Sequence, residues 1–179
     1  MKRTLATVVC FLTAVAFPLA ANAEAYIGVN YTQMEQNNQY RGSFLSNKGS
    51  FETGEVFFKL GGVINKYVAS EVRVGTTAAE ETDGDRTFRF NYHVGLYGKA
   101  MLPIGPVSPY IIGGHTWGEI EASIGSGNKN TGTLEDWSIG GGIDINLGKT
   151  VGINAEYMRY YYIGNVRYRG PSVGLYYRF

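Results

Sequence analysis

The sequence has few of the residues and segments that other classes of protein depend on. Its single cysteine, Cys10, lies inside the apolar N-terminal run, which excludes disulfide bonds and thiol catalysis for the rest of the chain. After that run no stretch of about 18 or more consecutive apolar residues occurs, so no transmembrane helix is predicted. Basic and acidic residues are nearly balanced, at 16 and 15, and this balance disfavours a nucleic-acid partner.

The first residues have the pattern of a secretory signal peptide. A basic start, Lys2-Arg3, precedes a mostly apolar run over 5–19, and Ala21-Asn22-Ala23 has the small-x-small pattern of a cleavage site. Cleavage is therefore expected between Ala23 and Glu24, with 1–23 removed and 24–179 left as one mature domain. An uncleaved anchor helix is the alternative, and Pro18 disfavours it.

The last eight residues alternate strictly between two kinds of side chain. Val173, Leu175, Tyr177 and Phe179 share one face, and this period of two predicts a β-strand. A free edge strand this apolar would promote aggregation in water. Lipid on the apolar face and paired neighbours on both edges remove that hazard. The ending therefore favours a closed membrane barrel over the last strand of a soluble sandwich.

The same period recurs along the whole mature chain, which is rich in tyrosine and glycine. It predicts eight strands, at 25–32, 54–61, 67–75, 88–102, 109–119, 137–147, 151–160 and 172–179. Their connections alternate long and short, with long loops at 33–53, 76–87, 120–135 and 161–169. This arrangement is typical of an all-β, antiparallel up-and-down transmembrane barrel with both termini in the periplasm and the long loops outside. A soluble lipocalin-like barrel, the alternative, would place the apolar faces around an internal cavity.

Aromatic residues on the predicted lipid faces would form two interfacial girdles. The outer girdle would contain Tyr31, Tyr92, Trp137 and Tyr157, and the inner one Tyr110, Tyr177 and Phe179.

The predicted inward faces carry four acids and four bases. They are Glu55, Lys59, Glu71, Arg73, Lys99, Asp144, Glu156 and Arg178. An eight-stranded barrel encloses little more than side-chain volume, and an unpaired charge there is unfavourable. We therefore expect paired charges that plug the interior. A gated, narrow conduit in which the pairs exchange partners is the alternative.

The strand at 109–119 has no clean alternation, because Tyr110, Ile111 and Ile112 are all apolar or aromatic. The predicted register directs Tyr110, Ile112 and Thr116 to lipid, and therefore His115 and Glu119 to the interior.

Neither His93 nor His115 has a serine two residues further on, so no nucleophile–base pair and no enzyme activity are predicted. The acidic segment 80–85 lacks the ligand spacing of an EF-hand, and no metal or other cofactor is expected.

With its signal peptide, eight alternating strands and the ending Tyr177-Arg178-Phe179, the chain resembles the small eight-stranded outer-membrane barrels of Gram-negative bacteria. These families include the transmembrane domain of outer-membrane protein A, outer-membrane protein X and the opacity-like surface proteins. Segment 151–157 is similar to the seventh strand of the protein A barrel, whose inward carboxylate would correspond to Glu156.

The resemblance implies a monomer in outer-membrane lipid and lipopolysaccharide, with Tyr177 and Phe179 read by the barrel-assembly machinery. It also implies a structural barrel that displays its loops to a surface ligand, in adhesion or in contact with host cells or phage. A narrow porin-like channel for small solutes or ions is the alternative function.

Overall fold

The computed structural model describes residues 24–38, 51–79, 81–83, 86–124, 128–163 and 166–179, and most of them lie in β-strands. The predicted signal peptide, 1–23, is outside the described residues. The strands are β1 Glu24–Asn38, β2 Phe51–Asn65, β3 Val68–Ala79, β4 Glu81–Asp83, β5 Arg86–Met101, β6 Val107–Ile124, β7 Asn128–Asn146, β8 Val151–Ile163 and β9 Val166–Arg178. Within this part of the chain, no helix is long and apolar enough to cross a membrane.

The strands form one closed antiparallel barrel. Apart from β3 and β4, consecutive strands pair with each other, and β1 pairs with β9 to close the sheet. Because β3 and the short β4 both pair with the same edge of β5, the nine segments occupy eight positions around the barrel. The prediction of an eight-stranded antiparallel barrel is confirmed.

Exposure alternates along the strands as predicted, with the apolar side chains outside. In β1, Tyr26 and Asn30 are buried, while Ile27 and Val29 are 47% and 37% exposed. In β7, Ile139 and Ile143 are 58% and 43% exposed between inward neighbours. A belt of exposed aliphatic and aromatic side chains around a polar interior is the inverse of a soluble barrel, and it requires lipid outside.

At one end of the barrel the strands are joined by short turns, at 66–67, 102–106 and 147–150. Gly105 has a φ of 62° in the turn that bridges Ile104 and Val107, a conformation that favours glycine. Glu24 and Phe179 lie at this same end, since the Phe179 N–H donates to the Ala25 carbonyl at 2.9 Å. We call it the turn end.

At the opposite end the predicted loops are wrong in extent. Most of 76–87, 120–135 and 161–169 lies in strands, and β1 and β2 extend into 33–53 up to residues 38 and 51. The β6–β7 hairpin stays paired as far as Ile124 and Asn128. Strands that project beyond the membrane have water on both faces, so their sequences lose the apolar alternation that marks a lipid-facing strand. The rest of these loops, including all of 39–50, is outside the described residues.

The predicted register of 109–119 is also wrong. Tyr110, Ile112 and Thr116 are 5%, 2% and 0% exposed and face the interior, whereas Ile111 is 69% exposed. His115 and Glu119 therefore take the outer face, where the His115 ring lies 4.4 Å from that of Trp117 and Glu119 accepts a hydrogen bond from Asn91.

The interior of this barrel contains aromatic rings as well as charges, so apolarity did not identify the lipid face of this strand. Tyr110 leaves the predicted inner girdle for the same reason. The other six predicted girdle residues are exposed aromatics, between 40% and 70%.

Candidate functional site

The candidate site is the barrel interior, built from inward positions of β2, β3, β5, β7 and β8. Seven of the eight charged residues predicted to face inward are buried there, each 6% exposed or less. They are Glu55, Lys59, Glu71, Arg73, Lys99, Asp144 and Glu156. The eighth, Arg178, lies at the turn end with its side chain 26% exposed, 3.9 Å from Glu24.

The buried charges form two layers along the barrel axis, and Arg73 is the centre of the first. Its Nη1 and Nη2 donate to the two oxygens of Glu156 at 2.6 and 2.9 Å, and its Nε donates to Glu71 at 2.9 Å. Tyr110 donates its hydroxyl to the same Glu156 carboxylate at 2.9 Å. The guanidinium lies 5.1 Å from the centre of the Tyr97 ring. A buried arginine with two carboxylates, one of them bidentate, has the paired and hydrogen-bonded geometry that buried charges require.

Lys99 forms the next layer toward the turn end. Its ammonium donates to Asp144 at 2.6 Å and to Glu71 at 3.4 Å, and it lies 3.8 Å from the centre of the Tyr110 ring. Tyr26 also donates its hydroxyl to Glu71, at 2.6 Å from Oε1. Glu71 thus joins the two layers, because it accepts from both Arg73 and Lys99.

Lys59 is the exception among the buried bases. Its ammonium donates to the Asn154 side chain at 2.8 Å and lies 5.6 Å from the centre of the Tyr176 ring. Among the residues the structure describes, it forms no ion pair with a carboxylate.

A layer of aromatic rings covers the charges on the side away from the turn end. Phe57 and Tyr160 stack with centroids 5.4 Å apart, and Phe90 lies 4.1 Å from the His93 ring. Tyr161 shares a hydrogen bond of 2.8 Å with His93 Nδ1. All these side chains are 5% exposed or less. We call Phe57, Phe90, His93, Tyr160 and Tyr161 the aromatic layer.

The sequence analysis missed the aromatic layer. Tyr160 and Tyr161 both point inward because a register shift occurs between Arg159 and Tyr161 in the β8–β9 pair. The signal for this irregularity was present in the sequence as the run Tyr160-Tyr161-Tyr162, which cannot alternate. Such β-bulges place two consecutive residues opposite one on the partner strand.

Glu55 and His93 form a buried pair within that layer. The distance from His93 Nε2 to Glu55 Oε2 is 2.8 Å, and both side chains are 0% exposed. His93 thus lies in the interior, whereas His115 takes the outer face.

Little free volume remains between these groups. A cavity of about 10 Å³ lies between the charged layer and the turn end, lined among others by Tyr26, Lys59, Asp144 and Tyr176. A volume of that order holds about one water molecule. At this level the interior is therefore packed, with no space wide enough for a hydrated ion.

The closing strand places the remaining candidate residues on the outer surface. Tyr177 and Phe179 are 46% and 69% exposed, and their rings meet edge to face with centroids 5.3 Å apart. Glu24 begins β1, whereas Ala23 is outside the described residues. Among the described residues, no group of three or more histidine, cysteine, aspartate or glutamate side chains is placed to hold a metal ion.

Comparisons with known proteins agree with this architecture. The Neisserial surface protein A structure superposes with a TM-score of 0.70 at 17% identity, covering 87% of this chain and 97% of that one. Ail, the attachment invasion locus protein of Yersinia pestis, gives 0.64 at 20% identity, with coverages of 88% and 99%. The N-terminal β-barrel domain of Pseudomonas aeruginosa OprF gives 0.60 at 12% identity, with coverages of 88% and 100%. At these identities the likeness shows a shared fold.

A search of curated proteins by sequence finds no match. The family model of the outer membrane protein beta-barrel domain, however, matches residues 5–179. The chain therefore belongs to the outer membrane protein β-barrel family of the bacterial outer membrane.

Proposed function

We propose that this protein is a structural barrel that presents its projecting strands for surface interaction, and that its interior does not conduct. The packed interior is the observation that carries the proposal. Two charged layers and the aromatic layer follow one another along the barrel axis, and the cavity between the charges and the turn end has about 10 Å³. Fully buried His93 is out of reach of any substrate, and we propose no catalytic role for it.

The projecting strands supply the surface for interaction. β5, β6 and β7 remain paired up to Arg86, Ile124 and Asn128. In β6, about nine residues follow His115, which packs beside the girdle residue Trp137, and nine residues of strand extend roughly 30 Å. Since this sheet, which β4 joins along β5, projects beyond the girdle, we propose that it serves interaction and not closure of the barrel.

The orientation of the barrel in the membrane follows from the difference between its turn end and its opposite end. We infer that the turn end, with both termini, faces the periplasm, because outer-membrane barrels have short periplasmic turns and longer extracellular connections. Labelling of a cysteine placed at Lys149 or at Ser126 on intact cells tests the orientation, since only the cysteine at 126 should react.

We also propose that residues 1–23 are a signal peptide cleaved between Ala23 and Glu24, and the mass of the mature protein tests this.

The channel alternative has one observation in its favour, the sharing of Glu71 between Arg73 and Lys99. A carboxylate with two basic partners permits an exchange of pairs and a transient opening. Single-channel recording of the refolded mature chain in planar bilayers distinguishes the two functions. We expect no current, or rare and brief openings, because the pairs are buried. A steady, large conductance would contradict the closed interior.

The surface role is tested separately by shortening the β6–β7 hairpin. Ile120 and Gly132 are directly opposite each other, so residues 121–131 can be replaced by a two-residue Asn-Gly turn. The shortened barrel should insert normally, because its interior and lipid belt are unchanged. Cells that display it should lose binding to host-cell, phage or glycan ligands that a screen with the wild-type protein identifies. Equal binding by both proteins would exclude this hairpin from the interaction.

A further inference from the structure

A cleft of about 600 Å³ opens on the outer wall of the barrel between β7 and β8. It forms because β7–β8 pairing stops at Ile139 and Arg159, while β7 continues along β6 and β8 continues along β9. Three arginines line it, Arg159 on β8 with Arg167 and Arg169 on β9. We call these residues the arginine cleft.

The three arginines are like charges at neighbouring positions of β8 and β9. Arg159 and Arg169 are directly opposite each other across β8 and β9, and Arg167 is two residues from Arg169 on the same face. Like charges at directly opposed positions destabilise a sheet. The buried Nε atoms of Arg159 and Arg169 have no hydrogen-bond partner. The positions therefore favour an anion between them.

Described carboxylates do not supply that anion. Glu35 is opposite Arg169 on β1, but the two form no ion pair. Asp136 is near the cleft and accepts hydrogen bonds from the backbone N–H groups of Trp137 and Tyr162. In the described part of the chain none of the three arginines forms an ion pair.

Tyr162 positions two of the guanidinium groups. The Tyr162 ring centre lies 5.0 Å from the Arg167 guanidinium and 6.0 Å from that of Arg159. An aromatic ring within about 6 Å attracts and restrains a guanidinium while its N–H groups remain able to donate to another partner. Those groups match the oxygens of a phosphate group in a bidentate arrangement.

The depth of the cleft indicates a lipid ligand. Tyr157 and Trp137 are exposed aromatics of the outer girdle, and Arg159 is two residues beyond Tyr157, about 7 Å along the strand. Aromatic girdles lie at the headgroup level, so the guanidinium groups reach the level of headgroup phosphates. Ile139 is directly opposite Arg159, so the arginine lies between the levels of Tyr157 and Trp137. The wall beside and below it is apolar, formed by Ile139 and Tyr157, with Gly141 leaving a notch on the lipid-facing side.

We propose that the arginine cleft binds the phosphate group of a phosphorylated membrane glycolipid, with the acyl chains of that lipid along Ile139 and Tyr157. The positive charge, the unpartnered N–H groups and the apolar wall below them fit an anionic amphiphile. The inference goes beyond surface display, since it gives the barrel wall a specific lipid partner.

The test uses the full mature chain refolded into phosphatidylcholine nanodiscs with or without bisphosphorylated lipid A. After transfer to detergent, native mass spectrometry counts the lipid A retained per barrel. Arg159→Gln, Arg167→Gln and Arg169→Gln are combined, and Arg89→Gln is the control, because Arg89 already pairs with Glu121 at 2.8 Å. We expect wild type and the control to retain lipid A, and the triple variant to retain at least about tenfold less, as loss of charge-assisted hydrogen bonds predicts.

Stability in phosphatidylcholine alone is the second readout. Removing mutually repelling charges should leave the urea midpoint of the triple variant unchanged or higher. Lipid A should raise the midpoint of wild type and of the Arg89→Gln control, but not that of the triple variant. Should the triple variant fail to refold, Arg159→Gln and Arg169→Gln are measured singly with the same expectation.

Three outcomes would overturn the proposal. Equal retention of lipid A by wild type and the triple variant is the first, and equal retention of dephosphorylated lipid A by wild type is the second. The third is a site that prefers a soluble anion, shown by full competition from millimolar inorganic phosphate or by arginine-dependent binding of a sulfated polysaccharide without binding of lipid A. Because both leaflets of the nanodisc contain the lipid, the result does not depend on the orientation proposed above.

Discussion

At the scale of single residues, the interior depends on pairs of glycine and aromatic residues in adjacent strands. Tyr26 is directly opposite Gly61, Phe57 opposite Gly75, and Gly152 opposite Tyr176. In each pair the aromatic ring lies over the glycine, where a side chain would otherwise be. Inward glycines could be predicted from alternation, but which ring covers each of them depends on strand register, and that is set by the closed sheet.

The Phe57–Gly75 pair gives a direct test. A Cβ atom on Gly75 would come within 2.5 Å of Phe57 Cδ1, so Gly75→Ala must displace a ring of the aromatic layer. We expect the free energy of unfolding, measured by urea titration of the refolded barrel, to fall by about 1–3 kcal/mol, the usual effect of overpacking.

Gly98→Ala is the matched control. Gly98 faces outward, and the nearest heavy atom to its added Cβ is 4.0 Å away. Its free energy of unfolding should stay the same or rise slightly, because alanine restricts the unfolded chain more than glycine does. Equal destabilisation of both variants would show that the ring does not require the glycine.

At the scale of secondary structure, alternation predicted the faces of seven strands and failed where a strand departs from the pattern of lipid outside and polar residues inside. β6 was assigned the wrong face because Tyr110 and Ile112 pack against polar and aromatic groups of the interior. The projecting ends were predicted as loops because water wets both of their faces. This second error concealed Arg167 and Arg169, since an alternating segment cannot be recognised once it is assigned to a loop.

For the closing strand, we propose that Phe179 serves assembly of the barrel. Its ring is exposed at the rim of the turn end, beside Tyr177, and its backbone already bonds to Ala25. Phe179→Ala keeps that hydrogen bond and removes the terminal aromatic. We expect less folded barrel in the outer membrane and more unfolded chain in the periplasm, measured by fractionation and by the heat-modifiable mobility of folded barrels.

Leu147→Ala separates assembly from simple loss of apolar area. Leu147 is exposed at the same end, 62% compared with 69% for Phe179, and should insert at the wild-type level. Wild-type insertion of Phe179→Ala, or an equal defect in both variants, would count against a signal at Phe179.

At the scale of the whole molecule, the strands, the lipid belt and the interior charges are consequences of one closed sheet. The identities of the buried acids and bases could be predicted, because an inward register follows from the outward apolar one. Their pairing could not, since Arg73 and Glu156 are 83 residues apart and meet only across the barrel. The aromatic layer, which depends on a register shift in β8, was equally inaccessible to periodicity.

That closed sheet makes stability and conductance two measurements of the same interior. Glu156→Ala removes the bidentate partner of Arg73 and leaves the buried guanidinium with Glu71 as its one charged neighbour among the described residues. If the interior is a dry plug, the free energy of unfolding should fall by about 3–5 kcal/mol, the usual effect of breaking a buried pair. Currents in planar bilayers should stay near zero.

If the pairs instead gate a conduit, water reaches the orphaned Arg73 and solvates it. Glu156→Ala should then lose little stability and open more often, and Lys99→Ala, which frees Asp144, should behave in the same way. Glu121→Ala is the control, because its partner Arg89 is 40% exposed and such pairs contribute about 0–1 kcal/mol. Since urea midpoints and currents are taken on the same preparations, a stable Glu156→Ala barrel with raised open probability would replace the plug by the gate. A destabilised and silent one would retain the plug, because only a dry interior leaves the guanidinium without solvent.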